Sequence, residues 1–158
     1  MRRLLPLVAH FVDVWTSSRL PLDVFRERGQ LLDELLQREG RPRQAVKRSI
    51  MDIVVCWRDE AELERRIGVF RRLRPDFAAL APTELLEALR TSLGHVVDGV
   101  PEAIVEAIRA YEAAGVQEIM IDWFDVDDVE GLQVLADEVL PRLASTTRAS
   151  SSAISVGR

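Results

Sequence analysis

Apolar positions follow two patterns along the chain, and they alternate. The clearest helical pattern begins at Pro101, where Ile104, Val105, Ile108 and Tyr111 make one apolar stripe. Pro101 suits the first helical position, and Gly115 stands where a left-handed C-cap residue belongs. The same period predicts helices ending at Phe11, from Pro21 to Gly40, from Asp59 to about Leu73, and from Pro82 to about Ser92. A last helix is capped by Asp127 or Asp128 and runs through Leu132, Leu135, Val139 and Leu143. Asp59 with Glu62 three residues on has capping-box spacing.

Between the helices lie short apolar runs, which predict strands at Val12–Trp15, Ile50–Trp57 and Ile119–Ile121. The second is interrupted by Asp52. The third is predicted to be covered on both faces, and it ends in Asp122-Trp123-Phe124-Asp125. Thr16 to Arg19 is predicted as a loop, as is Gly94 to Gly99. Strands alternating with helices predict an α/β fold with a parallel sheet and right-handed crossovers. Only three strands are predicted, which leaves open edges, so the pattern is that of a piece of a larger sheet. Residues 1–144 are predicted as one domain, and the Ser/Thr/Ala-rich stretch 145–158 as a disordered tail.

Composition narrows the partners. The chain has 158 residues, 47% hydrophobic and 30% charged, which suits a globular domain with a core. Its net charge of −5 gives no reason to expect nucleic acid or an anionic membrane. No apolar run approaches the roughly 20 residues that span a bilayer. Met1-Arg2-Arg3-Leu4-Leu5 begins like a signal peptide, but His10 and Asp13 interrupt it and no small-residue cleavage site follows. The single cysteine, Cys56, excludes an internal disulfide and fits a reducing cytoplasm; in an apolar strand it is expected to be inert. His10 and His95 have no ligands at a metal-binding spacing, so no metal is expected. The eight glycines form neither GxGxxG nor a P-loop. Arg65-Arg66 and Arg71-Arg72-Arg74 alternate with Glu62 and Glu64, as on a solvated helix face.

Four stretches carry a family resemblance: Leu7 to Trp15, Phe25-Arg26-Glu27-Arg28-Gly29, Ser49-Ile50-Met51, and Gly99-Val100-Pro101-Glu102 with Tyr111 through Trp123. Together they resemble the C-terminal half of bacterial luciferase-like monooxygenases, in the branch of oxidoreductases using FMN or the deazaflavin coenzyme F-420. The family's Gly-Thr-Pro-Glu stands here with Val100 for Thr, and its Ala-Asp-x-Trp-Asn stands as Val12-Asp13-Val14-Trp15-Thr16. The resemblance implies a partial (β/α) barrel of TIM type, three parallel strands with flanking helices, out of eight. It implies hydride transfer or oxygen activation on a flavin, a small organic substrate, and an absent N-terminal half that carries most of the pocket. The Gly-rich cradle for the cofactor phosphate is expected before Met1. The chain alone is therefore expected to be incomplete as an enzyme. A complementing N-terminal half or a homo-oligomer is expected to complete it. The alternative is a non-catalytic remnant or interaction module that pairs with another chain through exposed sheet edges.

The strand-end rule for such barrels singles out two groups. Trp15, Thr16 and Ser17 would line the cofactor pocket, or else form a core Trp and a turn. Asp122, Trp123 and Asp125 would meet substrate at the barrel mouth, or else Asp125, Asp127 and Asp128 simply cap the next helix. Asp52 is a third substrate-side candidate, because a carboxylate in an apolar strand needs a partner; the other reading turns it to a polar edge or water. No residue is singled out as catalytic.

Overall fold

The computed structural model describes residues 4–144. The expected tail, 145–158, lies outside the described residues. The element order is α1 (Leu5–Phe11), β1 (Val14–Ser18), α2 (Leu22–Arg38), β2 (Lys47–Cys56), α3 (Glu60–Leu73), α4 (Pro82–Leu93), β3 (Val96–Gly99), α5 (Pro101–Ala113), β4 (Glu118–Asp122) and α6 (Val129–Val134). A wide helical turn, Leu135–Val139, continues α6. The sheet is four-stranded, ordered β1-β2-β3, with β4 also pairing β2. The chain divides into two compact units, and β2 passes from the first to the second.

The first unit holds residues 4–54, 89–96 and 108–122. Here β1 and β4 both pair β2 in parallel, and both use its Ser49–Met51 segment, so they flank it on opposite sides. The register places Trp15, Ser17, Arg48, Ile50, Asp52, Ile119 and Ile121 on one face. Helices cover the β1 and β2 part of that face, while Ile121 of β4 stays exposed. Trp15 stacks on Phe25 of α2 with ring centroids 5.0 Å apart, and Arg48 pairs with Asp33 of the same helix. Phe25, Leu32 and Leu36 are fully buried, which is the apolar stripe of α2 doing what its spacing predicts. The opposite face carries Val14, Thr16, Ser18, Ser49, Met51, Ile53, Glu118, Met120 and Asp122.

The second unit holds residues 55–88, 97–107 and 123–144. The end of β2 runs beside β3, with the Trp57 amide donating to the Gly99 carbonyl at 3.1 Å. Asp59 caps α3 as predicted, its side chain accepting from the Glu62 amide at 2.9 Å. Glu62 returns the favour one residue earlier than the usual box, accepting from the Arg58 amide at 2.8 Å. Asp128 caps α6 by accepting from the Gly131 amide. Gly131 has to be Gly, since a Cβ there would lie 2.6 Å from Cζ2 of Trp123.

Four expectations are corrected. β1 begins and ends later than predicted, so Thr16, Ser17 and Ser18 are strand and not loop; ladder bonds to β2 override their turn preference. Val96–Gly99 forms a strand too short to leave a periodic signal. β4 is not covered on both faces, as Met120 is 39% and Ile121 44% exposed. Arg66 does not belong to a solvated face: it is buried, its guanidinium donating to the Cys56 carbonyl and lying 3.5 Å from Glu62 and 3.6 Å from Asp128.

Candidate functional site

β-strands present alternate residues to opposite faces, and in the first unit α2 packs on one face of the sheet, while on the opposite one Ser49 and Ile53 are buried and the residues around them are more open. The other face is where polar side chains stand accessible. Thr16 and Ser18 are exposed there, Met51 is half-buried and Met120 exposed, while the Ser49 hydroxyl is buried with no partner. Lys47 and Glu118 pair at its N-terminal side. At the C-terminal side, Arg19 follows β1 and Asp122 ends β4, and their side chains form an ion pair. Because β1 and β4 flank β2, and Asp122 shares a face with Met51, this pair bridges across β2 on the uncovered face. The two side chains keep 23% and 30% exposure.

Arg19 is also the one described non-glycine residue with a left-handed backbone, at φ 51°. Its amide donates to the Met51 carbonyl at 3.0 Å, which carries β1 one residue beyond its last pair. Its Nε is buried without an acceptor.

The predicted residues separate. Thr16 stands on the uncovered face, and Asp122 at its end. Trp15 and Ser17 point to the helix layer, where Trp15 is a core residue on Phe25. Trp123 belongs to the second unit, beside Gly131, with its indole N–H buried and unpartnered. Asp125 bonds the Asp127 amide and pairs with Arg72.

Asp52 does not face an edge or water. It is fully buried on the helix side and accepts the Tyr111 hydroxyl proton, with His95 Nδ1 3.5 Å from the same carboxylate oxygen. The hydroxyl has one proton to give, so the 2.8 Å contact between Tyr111 and His95 requires Nδ1–H of His95 to donate. Burial, and then the bond to Asp52, push the Tyr111 hydroxyl well above its ordinary range. Cys56 is buried as expected, and burial raises its thiol to about 11. Among the described residues, no three His, Cys, Asp or Glu side chains are placed to hold a metal. No described helix is long and apolar enough to cross a membrane.

Sequence reasoning missed Arg19 and the partners of Asp52. A turn between Ser18 and Pro21 has no period from which to pick out Arg19. Tyr111 was legible only as a position on an apolar stripe, and its hydroxyl is what Asp52 needs.

No family model and no curated protein matches the chain. Solved structures do. The coenzyme F-420-dependent tetrahydromethanopterin reductase of Methanopyrus kandleri matches 90% of the chain with a TM-score of 0.63 at 15% identity. A long-chain alkane monooxygenase matches 93% with a TM-score of 0.70 at 11% identity. The chain has the luciferase-like fold. The oxygenating constituent of 3,6-diketocamphane monooxygenase from Pseudomonas putida, in complex with FMN, matches 87% of the chain with a TM-score of 0.56 at 20% identity. The chain spans 48%, 40% and 45% of these three proteins, so its match covers under half the length of each.

Proposed function

We propose that the chain is the C-terminal part of a luciferase-like oxidoreductase that uses FMN or the deazaflavin coenzyme F-420, incomplete as a catalyst without the remaining barrel strands. The observation that carries this is the uncovered sheet face of the first unit, with Arg19 and Asp122 bridging its C-terminal side. In (β/α) barrels the strand ends on that side hold the site.

The residues present fit one part of such a cofactor. The Arg19 guanidinium keeps part of its exposure and its Nε has no acceptor, while Met51 and Met120 offer apolar surface. That combination suits the polar edge and flat face of the ring. A glycine-lined cradle for a phosphate is absent from the described residues, so the phosphate would be held elsewhere. When bound, the cofactor would supply hydride transfer or oxygen activation. The chain would bind and orient the ring. The buried thiol suits a reducing cytoplasm.

The interaction-module reading has its own support. Leu4, Leu7 and Phe11 of the α1 region are 57%, 54% and 72% exposed, and β1 has no strand on its outer edge among the described residues. We assign that edge to the neighbouring strand–helix unit of the remaining barrel.

The test is a titration of the purified chain with FMN and with coenzyme F-420, followed by fluorescence quenching, alone and co-expressed with the N-terminal half of a luciferase-like barrel. Quenching with a saturable midpoint in either format supports the reading. Its absence in both overturns it.

A further inference from the structure

A left-handed backbone is cheap for Gly and tolerable for Asn or Asp, whereas a longer L-residue there is strained by about 1 kcal/mol or more. Such outliers point from backbone to function. The sequence places Arg at this position, and its side chain reaches across β2 to Asp122. We propose that Arg19 and Asp122 together recognise the edge of a neutral planar imide, the C=O/N–H/C=O side of a flavin or deazaflavin ring. This rests on the cofactor class proposed above and names the residues that would read it.

The charge of the pair selects the ligand class. An unpaired Arg would favour phosphate or carboxylate. Here Asp122 neutralises it and would repel an anion, so a neutral edge offering both an acceptor and a donor is the better complement. Asp122 binds Arg19 through Oδ2, leaving Oδ1 to accept an imide N–H. The Arg19 Nε is buried, but the guanidinium as a whole still meets solvent beside Asp122, so a ligand carbonyl can take a donor from its accessible N–H groups. Acceptor and donor side by side match the adjacent N–H and C=O of an imide. The neighbouring methionines supply a deformable apolar floor for the ring: Met51 and Met120 are direct partners in the β2–β4 register, one residue before Asp122.

The experiment uses lumiflavin, which carries the imide but no phosphate, and 3-methyllumiflavin, in which the imide N–H is blocked. The full chain is titrated with each by fluorescence quenching. Lumiflavin is expected to bind roughly tenfold more tightly than its methylated analogue, as the loss of one charge-assisted hydrogen bond implies. Asp122→Ala should remove that discrimination. Arg19→Gly should weaken lumiflavin roughly tenfold without lowering the melting temperature, because Gly relieves the left-handed strain. Arg19→Asn, which also tolerates that backbone, guards against a folding artefact. Equal binding of the two flavins by the unaltered chain, or unchanged binding by both Arg19 variants, overturns the imide edge while the oxidoreductase reading stands. No lumiflavin binding by the chain also overturns it, and the oxidoreductase reading is then decided by the co-expressed form.

Discussion

At the scale of single residues, the buried polar group that most needs explaining is Asp52, and its explanation is Tyr111. A carboxylate with no exposure is tolerable only with donors, and it receives the tyrosine hydroxyl. Tyr111→Phe should therefore destabilise the fold by about 1–3 kcal/mol, the penalty of leaving a buried acceptor unmade. The same bond sets an alkaline limit. The Tyr111 hydroxyl is raised above its ordinary value of 10.0, so the unfolded chain releases that proton first as pH rises. The stabilisation it brings is complete below pH 10 and is lost above it. Cys56, raised from 9.0 to about 11, behaves likewise, and its share disappears between those two values. Urea unfolding from pH 8 to 11 checks both. Stability should decline across that range, less steeply between 9 and 11 in Cys56→Ala, and less steeply above 10 in Tyr111→Phe. Slopes identical to the unaltered chain would show that neither group is linked to folding.

At the scale of elements, helices were legible and strand limits were not. Helix α3 announces itself by Asp59 and Glu62; Asp59 caps as the spacing says, while Glu62 reaches the Arg58 amide, one residue before the cap. Because the Asp59 side chain satisfies an otherwise orphan amide, Asp59→Ala should lower stability by about 1 kcal/mol. A thermal melt followed by far-ultraviolet circular dichroism measures it, and no shift would mean that Glu62 and Arg58 hold the helix start alone. The same pair also takes Glu62 below the usual carboxylate range, chiefly through the Arg58 side chain. Strands carry weaker signals because their limits depend on partners. Thr16, Ser17 and Ser18 prefer turns locally, yet the register with Ser49, Ile50 and Met51 makes them strand. Arg66 illustrates the converse in a helix. The sequence shows one of several arginines, and only the Cys56 carbonyl and the Asp128 and Glu62 carboxylates make it a buried one.

For the molecule as a whole, the resemblance to luciferase-like proteins carried further than periodicity did. Alternating patterns predicted a parallel sheet with open edges. The comparison structures share that fold, and the chain covers only 48% and 40% of them. The candidate site was less legible, since faces are assigned by register, and register is not visible in single runs of residues. That is why Trp15 turned out to be core on Phe25 while Thr16, its neighbour, stands on the uncovered face. The open edge makes a prediction that belongs to this scale. Leu7 and Phe11 are exposed on the helix that precedes a strand without an outer partner among the described residues, so their substitution loses little of the monomer's own core. Replacing both, as Leu7→Lys with Phe11→Ser, should leave the melting temperature within a few degrees. It should abolish the co-purification of the chain with a tagged N-terminal barrel half. If association persists while the fold is intact, β1 is not the edge at which the barrel is completed. Self-association of the unaltered chain in sedimentation velocity, lost in the double variant, would instead identify a second copy as the occupant of that edge.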